Sequence, residues 1–243
     1  VARGDPRLVV RNSVTRDNFF GLVFIHRPAS LHGLCDHWAR CGVPAHDGPM
    51  TRLASVLSTR DFPLAELCAA RLDGELFPLD DCFTPIDEPD SALQRARSIG
   101  VKWPGRMIAE RLTAAWIWGA VDLPPAKHEL CVSLGARARA SSRFRVTVRE
   151  VVIDPDELIT LGSVRVTNIT RTLIDIARFA PEVDQQLATT MTRLAALGEV
   201  TLQHCNDALE RRKNLPNKTI ALERIMTLGL PTGQLTCARP SLR

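Results

Sequence analysis

From residue 51 onward, apolar and polar positions alternate with recognisable periods. Residues 51–58, TRLASVLS, set Leu53, Val56 and Leu57 at helical spacing and predict a short helix. PLAELCAARL (63–72) predicts a second helix: Pro63 suits its first turn, Leu64, Leu67, Cys68 and Leu72 form one stripe, and Gly74 ends it. ELFPL and CFTPI flank the turn Asp80-Asp81 and predict a β-hairpin. Helix, turn, helix, hairpin is the order of a winged helix-turn-helix. PGRMIAERLTAAWIWG (104–119) predicts a helix with Met107, Ile108, Leu112, Ala115, Trp116 and Trp118 on its apolar face and Gly119 closing it. Both Trp read as core anchors. ELCVSL (129–134) and FRVTVRE (144–150) have strand alternation, and VVIDPDELITLGSVRVT (151–167) predicts two more strands. A helix capped by Thr170 follows, RTLIDIARFA, then helices over 181–197, 201–213 and about 217–228, ahead of a patternless tail at 231–243. The fold class that results is α+β. A degenerate winged helix-turn-helix over 50–90 precedes, in 91–230, a small mixed β-sheet with a helical C-terminal half.

Residues 1–49 show no helical or strand period and precede Met50. They hold His26, His32, His37, His46, Cys35 and Cys41, but without the short paired spacings that structural zinc favours. This segment is expected to be an unstructured or spurious leader, and no metal or cofactor is expected anywhere in the chain.

Composition changes the picture only in places. With 243 residues, 45% apolar and 24% charged, the proportions are globular. No apolar run reaches the ~18–20 residues of a membrane helix, and nothing at the start resembles a signal peptide, so a soluble cytoplasmic protein without membrane partners is expected. The seven Cys lack any C-x-x-C pair and read as reduced thiols.

Charge is distributed unevenly. Residues 51–90 carry three basic and nine acidic groups, whereas residues 95–149 carry eleven and three. A recognition helix and wing present cations or amides to DNA. Here the module offers Glu66, Asp73, Glu75, Asp80 and Asp81, which would repel phosphate, so a cap or protein-docking lobe is the favoured reading. In the basic segment, Arg137, Arg139, Arg143, Arg145 and Arg149 are expected to build one cationic surface for nucleic acid or an acidic partner.

Catalytic signatures are sparse. The sequence has no G-x-G-x-x-G, Walker loop, G-x-S-x-G or H-E-x-x-H. His128 and His204 stand alone, and Asp154, Asp156 and Glu157 cluster on a turn with exposed character. Asp175 and Arg178, three apart on one helix, read as a surface ion pair. No enzymatic activity is expected.

Two segments, IAERLTAAWIWG (108–119) and VTNITRTLIDIAR (166–178), together with the winged module, resemble the AbiEi-type antitoxins of type IV (abortive-infection) toxin–antitoxin systems. The residues carrying the first motif are Arg111, Ala114, Ala115, Trp118 and Gly119. The second is carried by Val166, Thr167, Arg171, Thr172, Leu173, Asp175, Ala177 and Arg178. The resemblance implies a non-catalytic antitoxin-like regulator that counteracts a nucleotidyltransferase toxin without necessarily forming a stable complex, and that represses its own operon by binding operator DNA. The acidic module departs from the family's usual basic one. GLPTGQL (229–235) resembles the lead-in to a fused nuclease domain in a related branch, but no D…E-x-K set follows. The alternatives are a DNA-binding transcriptional regulator without a toxin partner and a catalytically dead remnant of a nuclease-fused member.

Overall fold

The computed structural model describes residues 54–103, 105–136, 145–212 and 214–233. The expected leader over 1–49, with its His and Cys, lies outside them, as do Arg137, Arg139 and Arg143.

The segment expected to form the first helix does something else. Over 54–58 the chain is non-helical, bending at Ser55 and Val56, and Leu57 bridges Phe83, with Leu57 N–H donating to Phe83 O at 2.7 Å and Phe83 N–H to Leu57 O at 2.8 Å. Ser58 then turns the chain: both its N–H and its hydroxyl donate to Asp61 Oδ2, at 2.8 and 2.9 Å. Helix α1 (Leu64–Leu72) and the hairpin β1 (Leu76–Leu79)–β2 (Cys82–Pro85) follow as the pattern predicts. What forms among the described residues is a two-stranded hairpin with one helix and a single bridge from Leu57, and no helix precedes α1 there. Leu57, Leu67, Leu76 and Phe83 make its small core. The expected α1 stripe splits, because only Leu67 points inward while Leu64, Cys68 and Leu72 face solvent.

Helix α2 (Ala92–Lys102) had no counterpart in the sequence reading. Ser91 caps it, and Gly100 lets it lie close on the sheet: a Cβ there would meet Val164 Cγ2 at 2.7 Å. The helix expected over 104–119 is divided. Its first part is strand β3 (Ile108–Ala109), and only Arg111–Ile117 forms helix α3. Tertiary pairing overrides the helical period, since β3 is the central strand, held antiparallel by β4 (His128–Ser133) and parallel by β7 (Val164–Thr167). Gly119, at φ +86°, turns the chain out of α3. The sheet order is β5-β4-β3-β7-β6, with β5 (Val146–Val151) parallel to β4 and β6 (Leu158–Leu161) antiparallel to β7.

One face of this sheet carries Leu130, Val132, Val146, Val148 and Val166 under α2 and α3, with Trp116 at the centre. The other carries Ile108, Cys131 and Val151. Helix α4 (Ile169–Phe179) is capped by Asn168, whose Oδ1 accepts from Arg171 N–H at 2.8 Å, two residues earlier than the expected Thr170. It is buried along most of its length against α3, α5 (Gln185–Leu197), α6 (Leu202–Glu210) and α7 (Lys218–Met226). Pro231, expected in a frayed tail, is tied down by Leu202 N–H donating to its carbonyl at 2.9 Å. The architecture is mixed α and β, as expected. Among the described residues no helix is long and apolar enough to cross a membrane.

Candidate functional site

The two motif segments, nearly fifty residues apart, close on one another. Trp118 Nε1–H donates to Thr167 O at 2.9 Å, and the hydroxyls of Thr167 and Thr172 lie 2.7 Å apart. Ala114 and Ala115 are fully buried behind this contact, where larger side chains would hold α3 off its neighbours. Next to it lies a buried network of charge. Asp175 is 1% exposed and accepts from Arg171 Nε at 2.9 Å and Arg178 Nη1 at 2.8 Å, with Arg149 Nη2 at 3.4 Å. Arg149 also forks onto Glu110, its Nε and Nη2 donating to the two carboxylate oxygens at 2.5 and 2.7 Å. Arg171 reaches Glu157 at 2.7 Å, and Glu157 accepts in turn from Arg212 at 2.5 Å. Arg111 pairs with Glu129 at 2.9 Å. Phe179 supplies the apolar floor, with the guanidinium carbons of Arg149, Arg178 and Arg111 at 4.4, 4.6 and 5.8 Å from its ring centre.

This corrects two expectations. Asp175 and Arg178 are not a surface pair; they are the middle of a buried hub. Nor does Arg149 contribute to an open cationic face, because strand alternation sends it to the α4 side of the sheet, where Glu110 and Asp175 take up its charge. Arg145 is likewise engaged, donating to Asp81 Oδ1 at 2.6 Å. Of the five-Arg surface, both described members are therefore ion-paired.

The hub's electrostatics follow from packing. Burial pulls the Arg149 and Arg171 guanidiniums down, but Glu110 and Asp175 more than offset it and hold both above the ordinary Arg value. Arg178 is the exception. Burial and the neighbouring Arg171 and Arg149 outweigh Asp175 and leave it lowered. Two clefts flank the hub, of about 430 and 480 Å³, and share Asp154, Arg171, Arg178 and Arg212 among their walls. The turn carboxylates expected on an exposed loop line the first of them, with Asp154 and Asp156 paired to Arg212 and Arg211 at 3.0 and 3.1 Å.

A second buried cluster docks the hairpin on the sheet. Asp80, expected at an exposed wing tip, is 1% exposed at its side chain. Its Oδ2 lies 3.2 Å from His128 Nε2 and 3.4 Å from Lys102 Nζ, and its Oδ1 lies 3.7 Å from Arg145. Asp81 also contacts Lys102. Asp80 thus belongs to the interior, while Glu66, Asp73 and Glu75 are exposed as expected. Thr113 Oγ1, His128 Nδ1 and Asp80 stand in a row that resembles a hydroxyl nucleophile, base and orienting carboxylate, with 3.4 Å between Thr113 and His128. Thr113 is wholly buried and its hydroxyl accepts from Glu129 N–H at 2.8 Å, so the row has no path to a substrate and acts as a clamp. His204 closes a capping box with Thr201. The three buried thiols are protonated at neutral pH: burial pushes Cys82 up to about 11 and Cys205 up to about 12, and raises Cys131 likewise.

Burial raises the Asp80 carboxyl, but the His128 ring and Lys102 outweigh it and hold the group below the ordinary carboxylate range. A depressed folded pKa stabilises above the unfolded value of about 3.9, and that contribution is lost as pH falls through the lower folded value. Urea midpoints measured from pH 5 to pH 2 are therefore expected to fall less steeply for Asp80→Asn than for the wild type. Parallel curves would contradict the clamp.

Sequence reasoning missed Glu110, although a carboxylate inside the apolar run Met107–Ala109 and Leu112 was a signal of a buried partner. It had no means to pair Asp80 with His128, 48 positions on. No family model and no curated protein matches the chain. Among solved structures, the chain is similar to the RV2827C protein from Mycobacterium tuberculosis, with 16% identity and a TM-score of 0.39 over 72% of this chain and 71% of that one.

Proposed function

We propose that this chain is a non-catalytic, cytoplasmic, antitoxin-like regulator of the AbiEi type that counteracts a nucleotidyltransferase toxin. The observation that carries the reading is the meeting of both motif segments at one buried hub. Arg111, Trp118, Thr167, Arg171, Asp175 and Arg178 are all engaged there by partners within the chain. A signature whose charged groups are mostly paired with one another belongs to a protein that acts through its surface. Such a hub holds the sheet and the helical half together, and the carboxylates that line the adjoining cleft, Asp154, Asp156 and Glu157, are each paired with an Arg.

Binding of operator DNA through the N-terminal module has less support. Helix α1 turns Leu64, Cys68 and Leu72 outward, with Glu66, Asp73 and Glu75 exposed around them, a surface that repels phosphate over most of its extent. The test is co-expression with a nucleotidyltransferase encoded beside it. Relief of the toxin's growth arrest is expected; a toxin that arrests growth equally in its presence would overturn the reading.

A further inference from the structure

A groove of about 810 Å³ runs between α1, the hairpin and the C-terminal end of α2, within the roughly 300–1,000 Å³ typical of small-ligand sites. Leu64 and Arg71, seven residues apart, stand on one face of α1 and form one wall, with Arg60 ahead of them. Pro78, Phe83 and Trp103 supply apolar surface opposite. Asp80, Asp81 and Lys102 also line the groove, but they pair with one another and with His128 and Arg145. Arg60 and Arg71 differ from them. Both are exposed, and neither guanidinium has an ion pair or hydrogen bond among the described residues. In a module otherwise rich in acid, the groove's uncompensated charge is therefore two guanidiniums beside an apolar floor.

We propose that this groove binds a small amphipathic anion: a phosphate or carboxylate carried on a flat apolar body. Guanidinium forks match either oxyanion bidentately. The Trp103 ring, already edge-on to His128 at 5.1 Å between ring centres, offers a rigid apolar surface to the ligand body. Two cations and a groove this short suit a single head group; a nucleic-acid strand takes a continuous cationic track. The site is independent of the hub and of the antitoxin reading.

Titration calorimetry on the full chain tests it with two probes, adenosine monophosphate for the phosphate source and 2-naphthoate for the carboxylate. Saturable one-site binding of at least one probe is expected, and the probe that binds identifies the head group. Arg60→Ala/Arg71→Ala should weaken binding at least tenfold with an unchanged melting curve, since neither side chain supports the fold. Arg71→Glu alone should do the same and serves if the double variant melts early. Binding of neither probe would overturn the proposal, as would binding indifferent to both variants or equal binding of neutral adenosine and naphthalene. So would tight duplex DNA binding lost in the same variants, which would put a phosphodiester backbone in the groove.

Discussion

Replacing Asp175 with Ala is expected to lower the stability of this protein more than almost any other single change. The carboxylate is 1% exposed and lies among Arg149, Arg171 and Arg178. Its removal leaves buried positive charge uncompensated, a loss of about 3–5 kcal/mol. At roughly 2–4 °C per kcal/mol for a chain of this size, the thermal midpoint should drop by about 6–20 °C. Asp175→Leu combined with Arg178→Met should recover part of it, because removing both partners avoids the orphaned charge. Calorimetric melts of the two variants decide the matter, and a loss under about 1 kcal/mol for Asp175→Ala would mean that water reaches the hub.

The second large effect is expected at Trp116. Its ring is 1% exposed, packed under α2 beside His128 at 6.4 Å between ring centres and beneath Arg95 at 5.9 Å. Truncation to Ala opens a cavity at the centre of the sheet's main core and should lower stability by about 3–5 kcal/mol. Leu72→Ala is the matched control, since that side chain is 87% exposed and its loss should leave the midpoint unchanged. A stable, soluble Trp116→Ala protein would contradict the packing described.

Much of the C-terminal half was legible in the sequence because its periods are local. β4 through β7 and α4 through α7 fall close to where alternation, turn residues and caps place them. The failures have a common physical origin. At 104–110 a helical period was overridden by pairing on both sides of Ile108–Ala109, which no local pattern encodes. At 54–58 the same override came from Phe83, some twenty-five residues on. The charged residues were misplaced for a related reason. Asp80, Arg149 and Asp175 look like solvated side chains one at a time and become interior only when partners from other elements neutralise them. Strand alternation does separate Arg149 from Val148, but only the position of α4 shows that the Arg149 face is covered as well.

In the antitoxin-like reading proposed above, the hub joining the two motifs holds the fold and does no chemistry. The decisive measurement is growth rescue by an Asp175→Asn/Arg178→Gln variant, first verified as folded by its melting curve. If the wild type neutralises a nucleotidyltransferase toxin as proposed, the folded variant co-expressed with that toxin should rescue growth equally well. A folded variant that no longer rescues would make the hub a working site, and the structural reading of these arginines and carboxylates would be wrong.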